Sequence, residues 1–259
     1  MASKYDKNTT GSQLVNDLRT SITGKVVLVT GTSPGGIGAF YCTAVANAKP
    51  SILILAGRVL KTIQETADQI KAENPNVAIK TLVIDLASLE SVRKAAAEVN
   101  GWVDVPYIDV LVNNAGIMAV PYTKTVDGFE RQFATNHLGP FLFTNLILSK
   151  VLASAHKRVV MVSSGGHRYN SVRFGDYGFA EGKNYNKWWA YGQAKTAVCL
   201  TAIYLAKKLG GRDHNGAYLY EGHVANQYED EVMPWATNEI EADKTWKLSE
   251  KLVGQEFAY

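Results

Sequence analysis

The chain has 259 residues, 46% of them apolar, with 27 lysines and arginines against 24 aspartates and glutamates and a formal net charge of +3. That size suits one large core, and a near balance of charge with no basic block argues against a nucleic-acid partner. Two cysteines make no disulfide framework, no apolar run approaches the roughly 18 to 20 residues of a membrane span, and Met1 to Thr10 holds no apolar signal core, so a reducing, cytoplasmic location is expected.

Residues 1–23 read as an N-terminal helical extension. From there short β-branched runs alternate with longer helical patterns. Lys25 to Thr30, Ser51 to Ala56, Ala78 to Ile84, Asp109 to Val112 and Arg158 to Val162 read as strands buried on both faces. The helices predicted between and after them are Gly36 to Asn47, Leu60 to Asn74, Ser88 to Asn100, Asp127 to Ser154 and Trp188 to Leu209. Such alternation predicts a single α/β domain: a Rossmann-type, doubly wound parallel sheet flanked by helices, whose ligands bind beyond the carboxyl ends of the strands. Residues 24–220 would form its body and 221–259 a tail and helix of the same domain.

The chemistry-bearing residues follow the strands. Thr30-Gly31-Thr32-Ser33-Pro34-Gly35-Gly36-Ile37-Gly38 places glycines between a strand and a helix, where backbone can approach a pyrophosphate at a helix N-terminus. Gly31, Ser33, Gly36, Ile37 and Gly38 are the expected contacts. Arg58 ends the second strand where an acidic residue would bind the ribose hydroxyls of NAD, so its guanidinium favours the 2′-phosphate of NADP, against the plainer reading of a solvated arginine. Asp85 and Leu86 are candidates to meet the adenine, unless Asp85 only starts the next helix, for which Ser88 is the better cap. Asn113-Asn114-Ala115-Gly116 offers amides and small residues for the cofactor ribose, or simply an Asx turn.

Asn136-His137-Leu138-Gly139-Pro140 interrupts a helix. An interior proline costs about 3 kcal/mol and leaves the carbonyl of Asn136 without its helical partner. The sequence leaves two readings open: a kink that fits the helix to the sheet, or an acceptor holding a water on a proton path to Lys195. Ser164, at the end of the fifth strand, is placed to donate to a substrate oxygen, although a turn serine commonly serves its own loop. Trp188 and Trp189 are candidates to wall an apolar pocket.

Tyr191 and Lys195 lie one helical turn apart, so the ammonium can stabilise a phenolate that otherwise forms roughly three units above neutral pH. Tyr204 and Lys208 repeat that spacing in the same helix. Position separates the pairs, because only Tyr191 enters at the carboxyl edge of the sheet.

With these motifs from about Gly24 to Leu209, and Tyr191-Gly192-Gln193-Ala194-Lys195 among them, the chain resembles the short-chain dehydrogenase/reductase family, within it the retinol-dehydrogenase-like and WW-domain-oxidoreductase-like branch. The resemblance implies a tetrad: Ser164 orients the substrate oxygen, Tyr191 moves the proton, Lys195 binds the nicotinamide ribose and tunes Tyr191, and Asn136 holds a relay water. Combined with Arg58 and the two tryptophans, this gives NADP(H) as the expected cofactor and a small apolar carbonyl or alcohol as substrate; family precedent adds a homodimer or homotetramer through the two long helices. No metal is expected. The glycine turn is one residue longer than the family's Thr-Gly-x-x-x-Gly-x-Gly, which predicts a bulge. After Leu209 the family's sixth strand and substrate lid are missing. Gly210 to Gly216 leads instead to Ala217 to Tyr220, which is expected either to resemble the family's last strand or to take the vacant edge beside the fifth. A helix from Asn238 to Val253 would cover part of the gap. The alternative function is therefore a cofactor-binding but catalytically impaired variant.

Overall fold

A computed structural model describes residues 4–210, 216–221, 223–226 and 232–258. After α1 (Gly11–Asp17) and α2 (Arg19–Ile22), five parallel strands form one sheet: β1 (Val26–Thr30), β2 (Ile52–Gly57), β3 (Ala78–Val83), β4 (Val110–Asn113) and β5 (Arg158–Met161). Their order, β3-β2-β1-β4-β5, reverses between β1 and β4, as expected of a doubly wound sheet. Period-two alternation sends side chains to opposite faces. Val26, Leu28, Ile54 and Ala56 join one core, and Val27, Val29, Leu53 and Leu55 join the other.

The expectation of strands buried on both faces holds for β1, β2 and β4 but not for the outer two. β3 and β5 border the sheet: in β3 only Leu82 is fully buried, and the residues of β5 alternate between exposed and half-buried. One face of the sheet carries α3 (Ile37–Ala46) and α4 (Leu60–Glu73); the other carries α5 (Leu89–Gly101), α7 (Gly139–Leu146) and α9 (Lys187–Lys208). Ser88 caps α5 by accepting from the Ser91 N–H at 3.3 Å, as its sequence suggests.

The helix expected from Asp127 begins later. Glu130 accepts from the N–H groups of Gln132 and Phe133, starting a short α6 (Arg131–Phe133). A π turn over Ala134–Leu138 follows, then α7 and α8 (Leu148–Leu152). At its end the Gly139 N–H reaches back five residues to the Ala134 carbonyl, so a widened turn rather than a bare kink precedes Pro140. Gly139 has a second constraint: a Cβ there would lie 2.4 Å from the Leu86 carbonyl oxygen.

The segment after α9 corrects one expectation. Leu219–Tyr220 (β6) does not take the edge beside β5; it pairs antiparallel with His223–Val224 (β7) in a separate hairpin. Among the described residues, no strand borders β5 on its outer side. Part of the preceding link, Gly211 to Asn215, lies outside the described residues. The terminal helix, α10 (Glu239–Val253), is capped by Asn238 and packs across the helical layer. Trp246 stacks on Tyr204 at 4.5 Å and meets Phe141 edge-on at 4.8 Å, while Arg93 donates to the Val253 carbonyl and to Gln255. Among the described residues, no helix is long and apolar enough to cross a membrane.

Candidate active site

At the carboxyl end of β1, the extra residue of the glycine turn is absorbed as a bulge. The Gly36 N–H closes a turn onto the Ser33 carbonyl, with Pro34 and a positive-φ Gly35 at its centre. Gly38 opens α3 against this turn, and a Cβ on it would lie 2.4 Å from the Gly31 oxygen. The cradle therefore requires bare backbone. Asn114 locks it to β4: its Nδ2 donates to the Thr30 carbonyl at 2.8 Å and to that of Gly31 at 3.3 Å. Thr30, which sequence reasoning passed over, accepts from the N–H groups of Asn114 and Ala115, both at 3.1 Å. Its hydroxyl at the last strand position was the available signal.

The structure separates the other expected contacts. Arg58 is exposed at the end of β2, close in sequence to Thr62, whose hydroxyl lies 3.3 Å from that of Ser33. Ile37 is 79% exposed beside them on the first turn of α3. Asn113 is turned inward, donating to Thr144 at 2.8 Å, so its side chain serves the core rather than the cofactor face. Leu86 is likewise buried in the core. One carboxylate oxygen of Asp85 accepts from the Ala87 N–H in a local turn ahead of α5, whose start is capped by Ser88 and not by Asp85.

The four catalytic candidates converge. A Cβ on Gly116 would lie 3.0 Å from Asn136 Oδ1 and 3.5 Å from Lys195 Nζ; one on Gly166 would lie 2.4 Å from the Tyr191 ring and 3.3 Å from Ser164 Oγ. Lys195 Nζ donates to the Val162 carbonyl at 2.9 Å and stands 5.8 Å from the centre of the Tyr191 ring. Burial lowers the Lys195 amine to about 8, so it gives up its proton more readily than an exposed lysine. Asn136 is held at both ends of its amide by the backbone N–H and carbonyl of Ile117, each at 2.8 Å. Its side chain thus fixes the loop after Gly116, and its place in the π turn sets the backbone around it.

Two buried polar residues that sequence reasoning missed tie the walls together. Gln132 accepts from the Ala119 N–H and donates to the Tyr185 hydroxyl and the Lys187 carbonyl, joining the loop after β4 to the start of α9. Glu130 accepts from Tyr185 as well as from the helix start, and burial pushes its carboxyl above the ordinary range. Beyond them Phe179, Ala180, Glu181 and Gly182 all adopt positive φ, a left-handed turn that costs strain at each non-glycine. Asp176 pins it, accepting from the Ala180 N–H and from Arg173. Trp188 and Trp189 are 41% and 49% exposed on the first turn of α9 and leave an apolar surface next to Tyr191.

A parallel doubly wound sheet with a glycine turn at its switch point, and Ser164, Tyr191 and Lys195 beside it, is the arrangement of a dinucleotide-binding fold. Residues 25–182 match the family model for short chain dehydrogenase, and the chain belongs to that family. It is 39% identical over 193 residues to human retinol dehydrogenase 13, covering 74% of this chain and 57% of that protein. It is 33% identical over 225 residues to the oxidoreductase fscI of Fusarium equiseti, covering 76% and 86%. The chain thus spans little more than half the length of that retinol dehydrogenase. A crystal structure of an uncharacterised protein from Mycobacterium paratuberculosis superposes with a TM-score of 0.76 at 27% identity, covering 92% of this chain and 96% of that one. A short chain dehydrogenase from Pseudomonas syringae gives 0.58, also at 27% identity, over 73% and 71%.

Proposed function

We propose that this chain is an NADP(H)-dependent oxidoreductase acting on an apolar alcohol, or on the corresponding ketone or aldehyde. The convergence of Ser164, Tyr191 and Lys195 between Gly116 and Gly166, one strand from the glycine cradle, carries this reading. The cradle fits a dinucleotide because Gly31 and Gly38, where a Cβ would strike Ala115 and the Gly31 carbonyl oxygen, let the turn close tightly onto the N-terminus of α3, where a pyrophosphate is favoured. Gly36, Ile37 and Gly38 would face the pyrophosphate, Asn114, Ala115 and Lys195 the nicotinamide side, and Arg58 with Ser33 the 2′-phosphate. When bound, the cofactor supplies or accepts the hydride.

The chain's own groups handle the oxygen and the proton. Ser164 Oγ already accepts from the Gly166 N–H at 3.0 Å, which leaves its own hydrogen to donate to the substrate oxygen. Tyr191 gives that oxygen a proton in reduction and takes it back in oxidation, and Lys195 stabilises the phenolate. Trp188 and Trp189 favour an apolar substrate body. A dimer or tetramer through the long helices would have to accommodate α10, which lies against both α7 and α9.

Titrating the protein with NADPH and assaying a panel of apolar ketones, aldehydes and alcohols tests the reading. Binding with turnover of at least one supports it; binding with none leaves the impaired, cofactor-holding variant. Arg58→Ala should weaken NADPH binding roughly ten- to a hundredfold, the range expected for losing a charge-assisted hydrogen bond, and leave NADH unchanged. Equal effects on both cofactors would remove Arg58 from the 2′-phosphate site.

A further inference from the structure

His167 lies three residues beyond Ser164, on the turn Gly165–Tyr169 that separates the serine from α9. Its contacts run in two directions. Toward the site, its backbone N–H donates to the Ser164 carbonyl at 3.0 Å, and Nδ1 lies 2.7 Å from the same oxygen. A nitrogen facing a carbonyl carries the hydrogen, so Nε2 is left as an acceptor in the neutral ring. Nε2 receives the Met233 N–H at 3.3 Å. The imidazole therefore bridges the serine turn and the C-terminal segment in one tautomer. Its burial, which holds the ring below its ordinary titration range, agrees with the neutral form.

The same segment makes a second connection. Trp235 Nε1 donates to the His167 carbonyl at 3.0 Å, and the hydroxyl of Thr196, next to Lys195 on α9, shares its hydrogen between that carbonyl at 3.1 Å and the Asn170 carbonyl at 2.7 Å. The Tyr218 ring packs on the imidazole at 5.2 Å. Val232 and Ala236 anchor the segment by burial. One residue, His167, is thus clamped between the C-terminal segment and the catalytic helix. The glycine before it, Gly166, both donates to Ser164 Oγ and forms the wall against which the Tyr191 ring lies.

We propose that Val232–Thr237 is a positioning strap for the substrate-binding serine, acting through His167. The strap sets the backbone of the Ser164–His167 turn, and with it the separation of Ser164 Oγ from Tyr191. His167 and Trp235 are positioning residues, since neither reaches the reacting atoms. The inference rests on the oxidoreductase reading for its consequence in turnover, but the mechanical coupling is measurable without any activity.

Trp235→Phe keeps the aromatic body and deletes the N–H; His167→Phe keeps a ring and deletes both nitrogens. In each variant, amide hydrogen exchange at Gly166, and in Trp235→Phe also at His167, should accelerate about tenfold while exchange in β1 stays at the parent rate. For any carbonyl the parent turns over, kcat should fall about tenfold with the KM for NADPH within about twofold, because the cradle is untouched. Combined, the two changes should cost no more than the worse one alone, as two breaks in one connection do. Unchanged exchange at Gly166 and His167 overturns the proposal. So does a parallel rise in β1 exchange and in the KM for NADPH, which marks general loosening. A parent with no turnover would defeat the oxidoreductase reading alone, and the exchange measurement would still decide the coupling.

Discussion

Helix α9 carries the same pair twice. Lys195 stands 5.8 Å over the ring of Tyr191, and Lys208 stands 5.6 Å over the ring of Tyr204, each four residues apart. Their surroundings share nothing. Tyr191 and Lys195 are 8% and 5% exposed at the carboxyl edge of the sheet, against Gly166 and near Gly116. Tyr204 lies flat on Trp246 of α10, with Lys208 in solvent. Cation over ring is therefore a consequence of helical spacing, and chemistry is conferred by what the sheet brings up beside it. The second pair holds the helix to its neighbour; the first faces a cradle.

That contrast can be broken most sharply at the tyrosines. Tyr191→Phe should reduce turnover by roughly 10²- to 10⁴-fold, the scale of a lost proton donor, with NADPH affinity near that of the parent. Tyr204→Phe should leave turnover within about twofold, since only its ring face is in use. Comparable activity in the two variants would end the distinction.

Next in size is the packing around the second pair. Trp246 is 1% exposed between Tyr204 and Phe141, so Trp246→Ala should cost about 3 to 5 kcal/mol in denaturant unfolding. A loss below about 1 kcal/mol would show that α10 is not part of the cooperative core.

The lysines give the smallest effect and the most specific sign. Lys195 titrates at about 8 in the fold against an ordinary 10.5, so the folded chain holds this proton less tightly than the unfolded chain. The burial penalty is complete below about pH 8 and shrinks as the pH rises toward 10.5. Lys195→Met removes that penalty and also the bond to the Val162 carbonyl, for a net gain on the order of 2 kcal/mol at pH 7 that fades at alkaline pH. Lys208→Met, at an exposed position, should change stability by less than about 0.5 kcal/mol at any pH. A destabilised Lys195→Met at pH 7 would mean that its charge is compensated in the fold.

The strands, the helices and the glycine turn were legible because local rules settle them: β-branched runs between helical periods, and glycine where backbone must turn closely. Ser88 and Asn238 start their helices where their side chains suggested. Asn113 was misread because only the third dimension shows that its amide turns toward Thr144 while Asn114, one residue on, turns toward the cradle. The roles of Gln132, Thr30 and His167 depend on partners that lie far away in the chain, and no spacing announces them.

By itself the sequence determined the parallel sheet, the order of its motifs and the helix turn shared by Tyr191 and Lys195, since each follows from residue type and period over a few positions. Only the tertiary structure decided that β6 closes on β7 rather than beside β5, that Pro140 is preceded by a π turn, and that the C-terminal segment ends on His167. Those outcomes depend on which distant surfaces bury each other and which buried polar atoms find partners, and neither is a property of any local stretch of chain.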